Sequence, residues 1–386
     1  MPENGIFQNP IIAEQAKAEV PFVRDAFLGH TLPKGKEFIG EKEYISLEAM
    51  IEEVKQSGKR VILNIGDSST SGWDSNIVFE NRQRYERGEP LRPGFFNYET
   101  YSDFLRERLM DRFLVINAGV PAHTSLQGIR RLEQLVEIFK EEGIKLDYVT
   151  AYYGNNDCVW ERNREDKDWI SPSFFRNLRN RFRRTEDRVI TRTNPKDYKK
   201  NMEGIVKYCR QQGIVPILIE PPTPIYWKPG TRVKGEEIPR RNGKGSRVVY
   251  DLLDKARQIW QSALEQKDSF SREMELGKAS EMDFVVPRIK WEHRIRLREV
   301  AYEQEVSLVS TYLDRSEDDI RYFIDYCHPI GDANKKIAEE IGRVIEEYET
   351  GQLKPITKVN KKSSRSARHF EDEDTSELPT DIYPMR

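Results

Sequence analysis

The chain has 386 residues, 37% of them apolar and 33% charged, with a mean hydropathy of -0.75. That length accommodates one large domain or two modest ones with a full core, while the polarity implies solvated insertions or tails. Lys plus Arg (63) nearly balances Asp plus Glu (65), so no global field draws the chain to nucleic acid or an anionic bilayer. Three cysteines, Cys158, Cys209 and Cys327, are too few for a disulfide scaffold and lack CxxC spacing for zinc, which points to a reducing compartment. The N-terminus has neither a basic nor an apolar signal region, and no stretch approaches about 18 uninterrupted apolar residues. A cytoplasmic protein without a membrane span is expected.

Residues 1–41 read as an irregular N-terminal extension. From Leu47 to Gln56 the apolar spacing is helical, and the β-branched run Val61 to Ile65 reads as a buried strand ended by Gly66-Asp67-Ser68-Ser69. The alternation recurs with a helix near Tyr98 to Met110 and a strand Phe113 to Ile116. A helix Leu126 to Glu141 and a strand Leu146 to Tyr153 follow. Next come a helix Lys196 to Arg210 with a strand Ile214 to Ile219, then a helix near His293 to Glu303 with a strand Val306 to Val309. Asp332 to Glu347 closes the series as a helix. A parallel crossover needs a helix's length to return, so this rhythm predicts a three-layer α/β domain over residues 42–350 whose ligands bind at the carboxyl ends of the strands. Two insertions, about 159–194 and 224–290, follow strand ends, where lids grow. In the first, Phe174, Leu178 and Phe182 among arginines predict a short basic amphipathic helix; in the second, a helix is predicted from Val248 to Leu264. Residues 351–386, rich in Lys, Ser, Glu, Asp and Pro and poorer in apolar side chains than the rest of the chain, are expected to be disordered.

Of five histidines, His30, His293 and His369 lie in contexts that suggest no chemistry, while His123 and His328 lie near predicted strand or helix ends. Asp325 stands three residues before His328, so within one turn it could accept the Nδ1 proton and leave Nε2 free as a base; a surface capping turn is the plain alternative. Ser68 reads either as a nucleophile presented on a sharp strand-to-helix turn or as an N-cap. A serine nucleophile needs a base, and acyl transfer needs donors for the oxyanion. Asn117-Ala118-Gly119 and Gly154-Asn155-Asn156-Asp157, at the next two strand ends, carry backbone and carboxamide donors of that kind.

Taken in order, Gly66-Asp67-Ser68, Gly119, Gly154-Asn155-Asn156-Asp157 and Asp325-Tyr326-Cys327-His328 resemble the four blocks of the SGNH (GDSL-type) hydrolase family. The resemblance covers about Arg60 to Ile341 outside the two insertions and implies a flavodoxin-like parallel sheet of about five strands. It makes Ser68 the nucleophile, His328 the general base and Asp325 its orienting carboxylate. The Ser68 N–H, the Gly119 N–H and the Asn156 amide would form the oxyanion hole. No metal or other cofactor is implied. The chain departs from the pattern in having Ser69 where the motif's leucine stands, in its long insertions, and in an N-terminus from which no signal peptide is expected.

Cys158 and Cys327 read as small apolar filler, and Glu220 and Thr223 as possible substrate contacts. The arginines between Phe174 and Arg188 suit either an anion clamp or a solvated helix face. Trp160, Trp169, Tyr226 and Trp227 suit either a pocket lining or hinge packing. The expected activity is hydrolysis of an ester, a small O-acyl group on a small molecule or carbohydrate, through an acyl-serine. The alternatives are an acyltransferase using the same intermediate and a non-catalytic binding protein on this fold.

Overall fold

Strand β3 (Arg60–Gly66) shows why the middle of the sheet must be covered on both faces. After exposed Arg60 every residue is buried, with Val61, Leu63 and Ile65 on one face and Ile62 on the other. A computed structural model describes residues 38–39, 44–90, 92, 98–160, 165–167, 189–233, 237–240, 246–311 and 319–353. In it β3 pairs in parallel with β4 (Phe113–Asn117) and β5 (Leu146–Tyr152), and the sheet continues through β6 (Val215–Glu220) to β7 (Ser307–Ser310). The spatial order β4-β3-β5-β6-β7 is the flavodoxin-like one that the family resemblance implies. Beyond β4 the edge is extended by a two-strand hairpin, β1 (Phe38–Ile39) and β2 (Tyr44–Ile45), whose Ile39 pairs antiparallel with Asn117. Two residues of the stretch read as irregular thus join the sheet.

Helices cover both faces. One core layer sets Val61, Leu63 and Ile65 against α1 (Leu47–Ser57), α5 (Ser125–Glu141), α6 (Pro195–Gln211) and α9 (Trp291–Glu303). The other sets Ile62, Val115 and Ile217 against α4 (Tyr101–Leu109) and α11 (Asp332–Glu349). Each fully buried Leu or Ile contributes about 1.5–3 kcal/mol by leaving water.

Four helices lie outside the predicted rhythm: α2 (Ser68–Ser71), α3 (Ser75–Glu86), α8 (Ser269–Met282) and α10 (Asp319–Tyr322). Helices α3 and α8 carry few apolar residues at helical spacing, but Asp74 and Asp268 cap them through backbone N–H groups of their first turns. The second insertion is largely an ordered helical pair, α7 (Ser246–Leu264) and α8. Its Trp227, Ile238 and Val286 pack on Tyr326 and Cys327, while Val249, Tyr250 and Leu253 pack on Trp160. The basic helix expected around Phe174 to Arg188, Trp169 and the tail beyond residue 353 lie outside the described residues. No helix among the described residues is long and apolar enough to cross a membrane.

Candidate active site

The carboxyl ends of β3 and β5 flank the point where the chain order reverses, and the candidate site is assembled there. Gly66 closes β3 because a Cβ at that position would sit 1.9 Å from Thr70 Oγ1, so only glycine lets the next turn fold back onto the strand. The cap of the short helix α2 is Asp67, whose Oδ1 accepts from the Ser69 N–H at 2.9 Å. Ser68 is therefore the first helical residue rather than the cap, and its N–H has no carbonyl four residues back within the helix.

Ser68 Oγ lies 2.6 Å from His328 Nε2, and His328 Nδ1 lies 2.5 Å from Asp325 Oδ2. The Nδ1–H donates to the carboxylate, which leaves Nε2 to accept the serine proton. The loop holding the pair is a tight one: the Ile324 N–H donates to His328 O, and Phe323 bridges Pro329. Asp325 Oδ1 accepts from the N–H groups of Cys327 and His328, both at 2.9 Å. Its Oδ2 also accepts a short hydrogen bond from the Ser75 hydroxyl at the start of α3. Burial works against the Asp325 charge, but the neighbouring imidazole and these donors outweigh it and hold the carboxyl below the usual carboxylate range. Burial likewise works against a charged His328, and the Asp325 charge overcomes it, raising the imidazole above its usual value. Asp325 and His328 are almost fully buried, whereas Ser68 keeps 9% of its surface exposed.

Asn156 begins the 3₁₀ turn Asn156–Cys158 after β5 and donates one amide hydrogen to Asp67 Oδ2 at 3.2 Å, which leaves the second hydrogen available. Burial pushes the Asp67 carboxyl up to about 6. Asp157 is likewise pushed up to about 6 by burial and accepts from Ser125 N and Oγ. Gly119 is placed differently from the expectation. Its N–H donates to Asn117 Oδ1 at 3.1 Å, and a Cβ on it would lie 2.6 Å from Ser71 N. Its smallness lets the loop after β4 seat against α2, while its donor is already engaged. In that loop the N–H groups of Ala118, Val120, His123, Thr124 and Ser125 are also bonded within the protein. The Ala122 N–H has no partner among the described residues, and Ala122 has φ of 62°.

Other polar side chains singled out in the sequence are engaged elsewhere in the fold. The His293 imidazole is buried, donates from Nε2 to Thr193 O, and is pushed down to about 4 by burial. Glu220 and Thr223 are held by Arg294, with Arg298 also on Glu220, so they form a polar cluster at the end of β6. The thiols of Cys158 and Cys327 are buried and pushed well up, as small apolar filler would be. Asp325, Cys327 and His328 offer three ligand-type atoms within 4.8 Å of one another, but Asp325 Oδ2 and both ring nitrogens are bonded in the serine–histidine–aspartate row, and Asp325 Oδ1 accepts from the Cys327 and His328 N–H groups. A groove lined by Val54, Lys59, Val61, Gly143 and Asp147 lies where β3 and β5 begin, at the opposite end of the strands from Ser68. Ser75 was not expected in the site. Asp74-Ser75 is a readable cap, but only the fold brings that cap to Asp325.

The sequence matches the family described as GDSL-like lipase/acylhydrolase over residues 62–341. No curated protein matches it. Similar solved structures include the catalytic mutant of Axe2, an acetylxylan esterase from Geobacillus stearothermophilus, at 14% identity and a TM-score of 0.36, covering 74% of this chain and 94% of that one. A carbohydrate acetylesterase family member from Sinorhizobium meliloti is 12% identical with a TM-score of 0.40, covering 76% and 100%. The esterase EstA from Pseudoalteromonas sp. is 14% identical with a TM-score of 0.34, covering 76% and 100%. With that match spanning well over half of the chain, this chain is an SGNH-type ester hydrolase and belongs to the GDSL-like lipase/acylhydrolase family.

Proposed function

We propose that this ester hydrolase cleaves a small O-acyl group from a small molecule or carbohydrate through an acyl-serine. The observation that carries the reading is the unbroken row Ser68 Oγ, His328 Nε2, His328 Nδ1, Asp325 Oδ2 at 2.6 and 2.5 Å. His328 takes the Ser68 proton as Oγ attacks the ester carbonyl, and Asp325 stabilises the imidazolium that results. The imidazolium returns the proton to the leaving alcohol, and water then repeats the sequence to release the acid. Developing negative charge on the carbonyl oxygen is met by the Ser68 N–H and the free Asn156 amide hydrogen. The backbone donor expected at Gly119 is assigned instead to Ala122, because the Gly119 N–H is held by Asn117. The three buried thiols suit a reducing compartment, and we place the protein in the cytoplasm.

The test is fluorophosphonate labelling of the purified protein beside Ser68→Ala and His328→Ala, with acid release measured across p-nitrophenyl esters of increasing chain length. Labelling and release lost in both variants, with a preference for the shortest acyl chains, is the expected result. Turnover retained without Ser68 would end the acyl-serine reading, and a preference for long chains would end the small-acyl part of it.

A further inference from the structure

We infer that Arg192, at the end of the first insertion, is a positioning residue that fixes the Val120–His123 turn beside Ser68. The inference rests on the acyl-serine reading. The turn is unusual in its backbone. Pro121 holds its own φ near -65°, Ala122 has φ of 62°, and the His123 N–H donates to Val120 O at 3.2 Å. That is a type II turn, whose third position favours glycine and here carries a side chain. Backbone in a sparsely populated conformation persists when its surroundings over-determine it.

Arg192 supplies those surroundings. Its Nη1 donates to Ala122 O at 2.7 Å and its Nη2 to Gln127 Oε1 at 3.1 Å. Its Nε and Nη2 form a two-pronged pair with Asp166 at 3.0 and 2.8 Å. Asp166 in turn accepts from Thr124 Oγ1 at 2.9 Å, and Gln127 Oε1 accepts from the Thr124 N–H at 2.9 Å. The guanidinium is 15% exposed and the Asp166 carboxylate 8%, so the clamp operates largely out of water, where charge-assisted bonds hold geometry well. Both members come from the insertion: the Asp166 N–H donates to Arg192 O, and the Arg192 N–H to Val159 O. On its other side the turn is tied to the nucleophile, since the Val120 N–H donates to Gly66 O two residues before Ser68. The insertion thereby sets the distance between the unbonded Ala122 N–H and the serine. A donor needed only as charge develops on the carbonyl oxygen affects turnover rather than ground-state binding.

The measurement is hydrolysis of p-nitrophenyl acetate by wild type, Arg192→Gln and Arg192→Lys, with crystal structures of wild type and Arg192→Gln. Both variants should lose at least tenfold in kcat while KM stays within about twofold. Lysine fails with glutamine because a single ammonium cannot hold Ala122 O, Gln127 and Asp166 together. In the Arg192→Gln crystal, the Ala122 carbonyl should leave its wild-type position or the Ala122 φ should become negative. Unchanged kcat, a loss confined to KM, or full activity in Arg192→Lys would overturn the assignment, as would an unmoved turn. If wild-type protein neither hydrolyses the ester nor takes the fluorophosphonate, the acyl-serine reading fails by itself, and the position of the turn in the two crystals still decides the clamp.

Discussion

At His328 two opposing effects meet, and their balance makes a pH-dependent prediction. Burial alone lowers an imidazole pKa, whereas the Asp325 carboxylate 2.5 Å away raises it, and the carboxylate wins. In the proposed mechanism His328 must be neutral to accept the Ser68 proton, so the acid limb of kcat/KM should have its midpoint above 6.5, with activity rising as the pH passes it. Asp325→Asn removes the winning effect and leaves burial opposed only by the smaller effects of Asp67 and Asp74, so activity should fall roughly 10⁴-fold and the acid limb of what remains should move below the wild-type midpoint. A variant limb that stays put would show that Asp325 does not govern the base. Asn156→Ala should remove a single proposed oxyanion donor and cost about 2.7–4 kcal/mol in kcat; wild-type turnover in that variant would exclude the amide from the hole. His293 makes a stability prediction of its own. Unfolded, it gains a proton near 6.5; folded, only near 4, so its contribution is present above 6.5 and is lost as the pH falls toward 4. That displacement is worth about 3 kcal/mol for this buried ring. Asp67 and Asp157, pushed up to about 6, act with opposite sign between 3.8 and 6, so the net acid curve mixes the two. Comparing urea unfolding of wild type and His293→Gln isolates the histidine: the gap between them should shrink by about 3 kcal/mol from pH 7 to pH 4.

Elements differ in how much of them the sequence reveals. Strand β3 is legible because Val61 to Ile65 is a short, largely β-branched apolar run ended by Gly66-Asp67, and α5 because Leu132, Leu135, Val136 and Phe139 recur on one face. Helix α3 is not, because its partners are polar: Asp74 caps it, Ser75 turns to Asp325, and its surface is held by pairs such as Glu80 with Arg84. The serine–histidine–aspartate row is legible as residue types in a chain order. The proposed donors to the oxyanion are less so, since whether a backbone N–H is free depends on where its neighbours point. Gly119 drew attention as a glycine, yet its N–H is taken by Asn117, and Ala122 has no sequence feature that announces a positive φ. An alanine at Gly66 tests the local argument at the element scale. A Cβ 1.9 Å from Thr70 Oγ1 must displace α2, so Gly66→Ala should abolish fluorophosphonate labelling while far-ultraviolet circular dichroism keeps its native shape. Retained labelling would mean that the strand end tolerates the displacement.

At the scale of the whole molecule, the second insertion braces the histidine loop from outside the α/β layers. Its Trp227, Ile238 and Val286 pack on Tyr326 and Cys327, directly before His328. What keeps that brace in shape is a buried ion pair. Asp283 Oδ2 accepts from Arg288 Nη2 at 2.7 Å and from the Gly230 N–H at 2.8 Å, and both charged side chains are essentially without solvent exposure. Such a pair adds little net stability compared with apolar residues of the same shape, but removing a single partner leaves a buried charge uncompensated, at a cost of about 3–5 kcal/mol. Asp283→Asn should therefore destabilise the protein by about that amount, and the loss should fall first on the brace. During a urea titration, fluorophosphonate labelling of Asp283→Asn should then disappear at lower denaturant than the circular dichroism of the central sheet, whereas in wild type the two transitions should coincide. Coincident transitions in the variant would mean that the insertion and the α/β layers unfold as one unit, with the histidine loop held by the sheet itself.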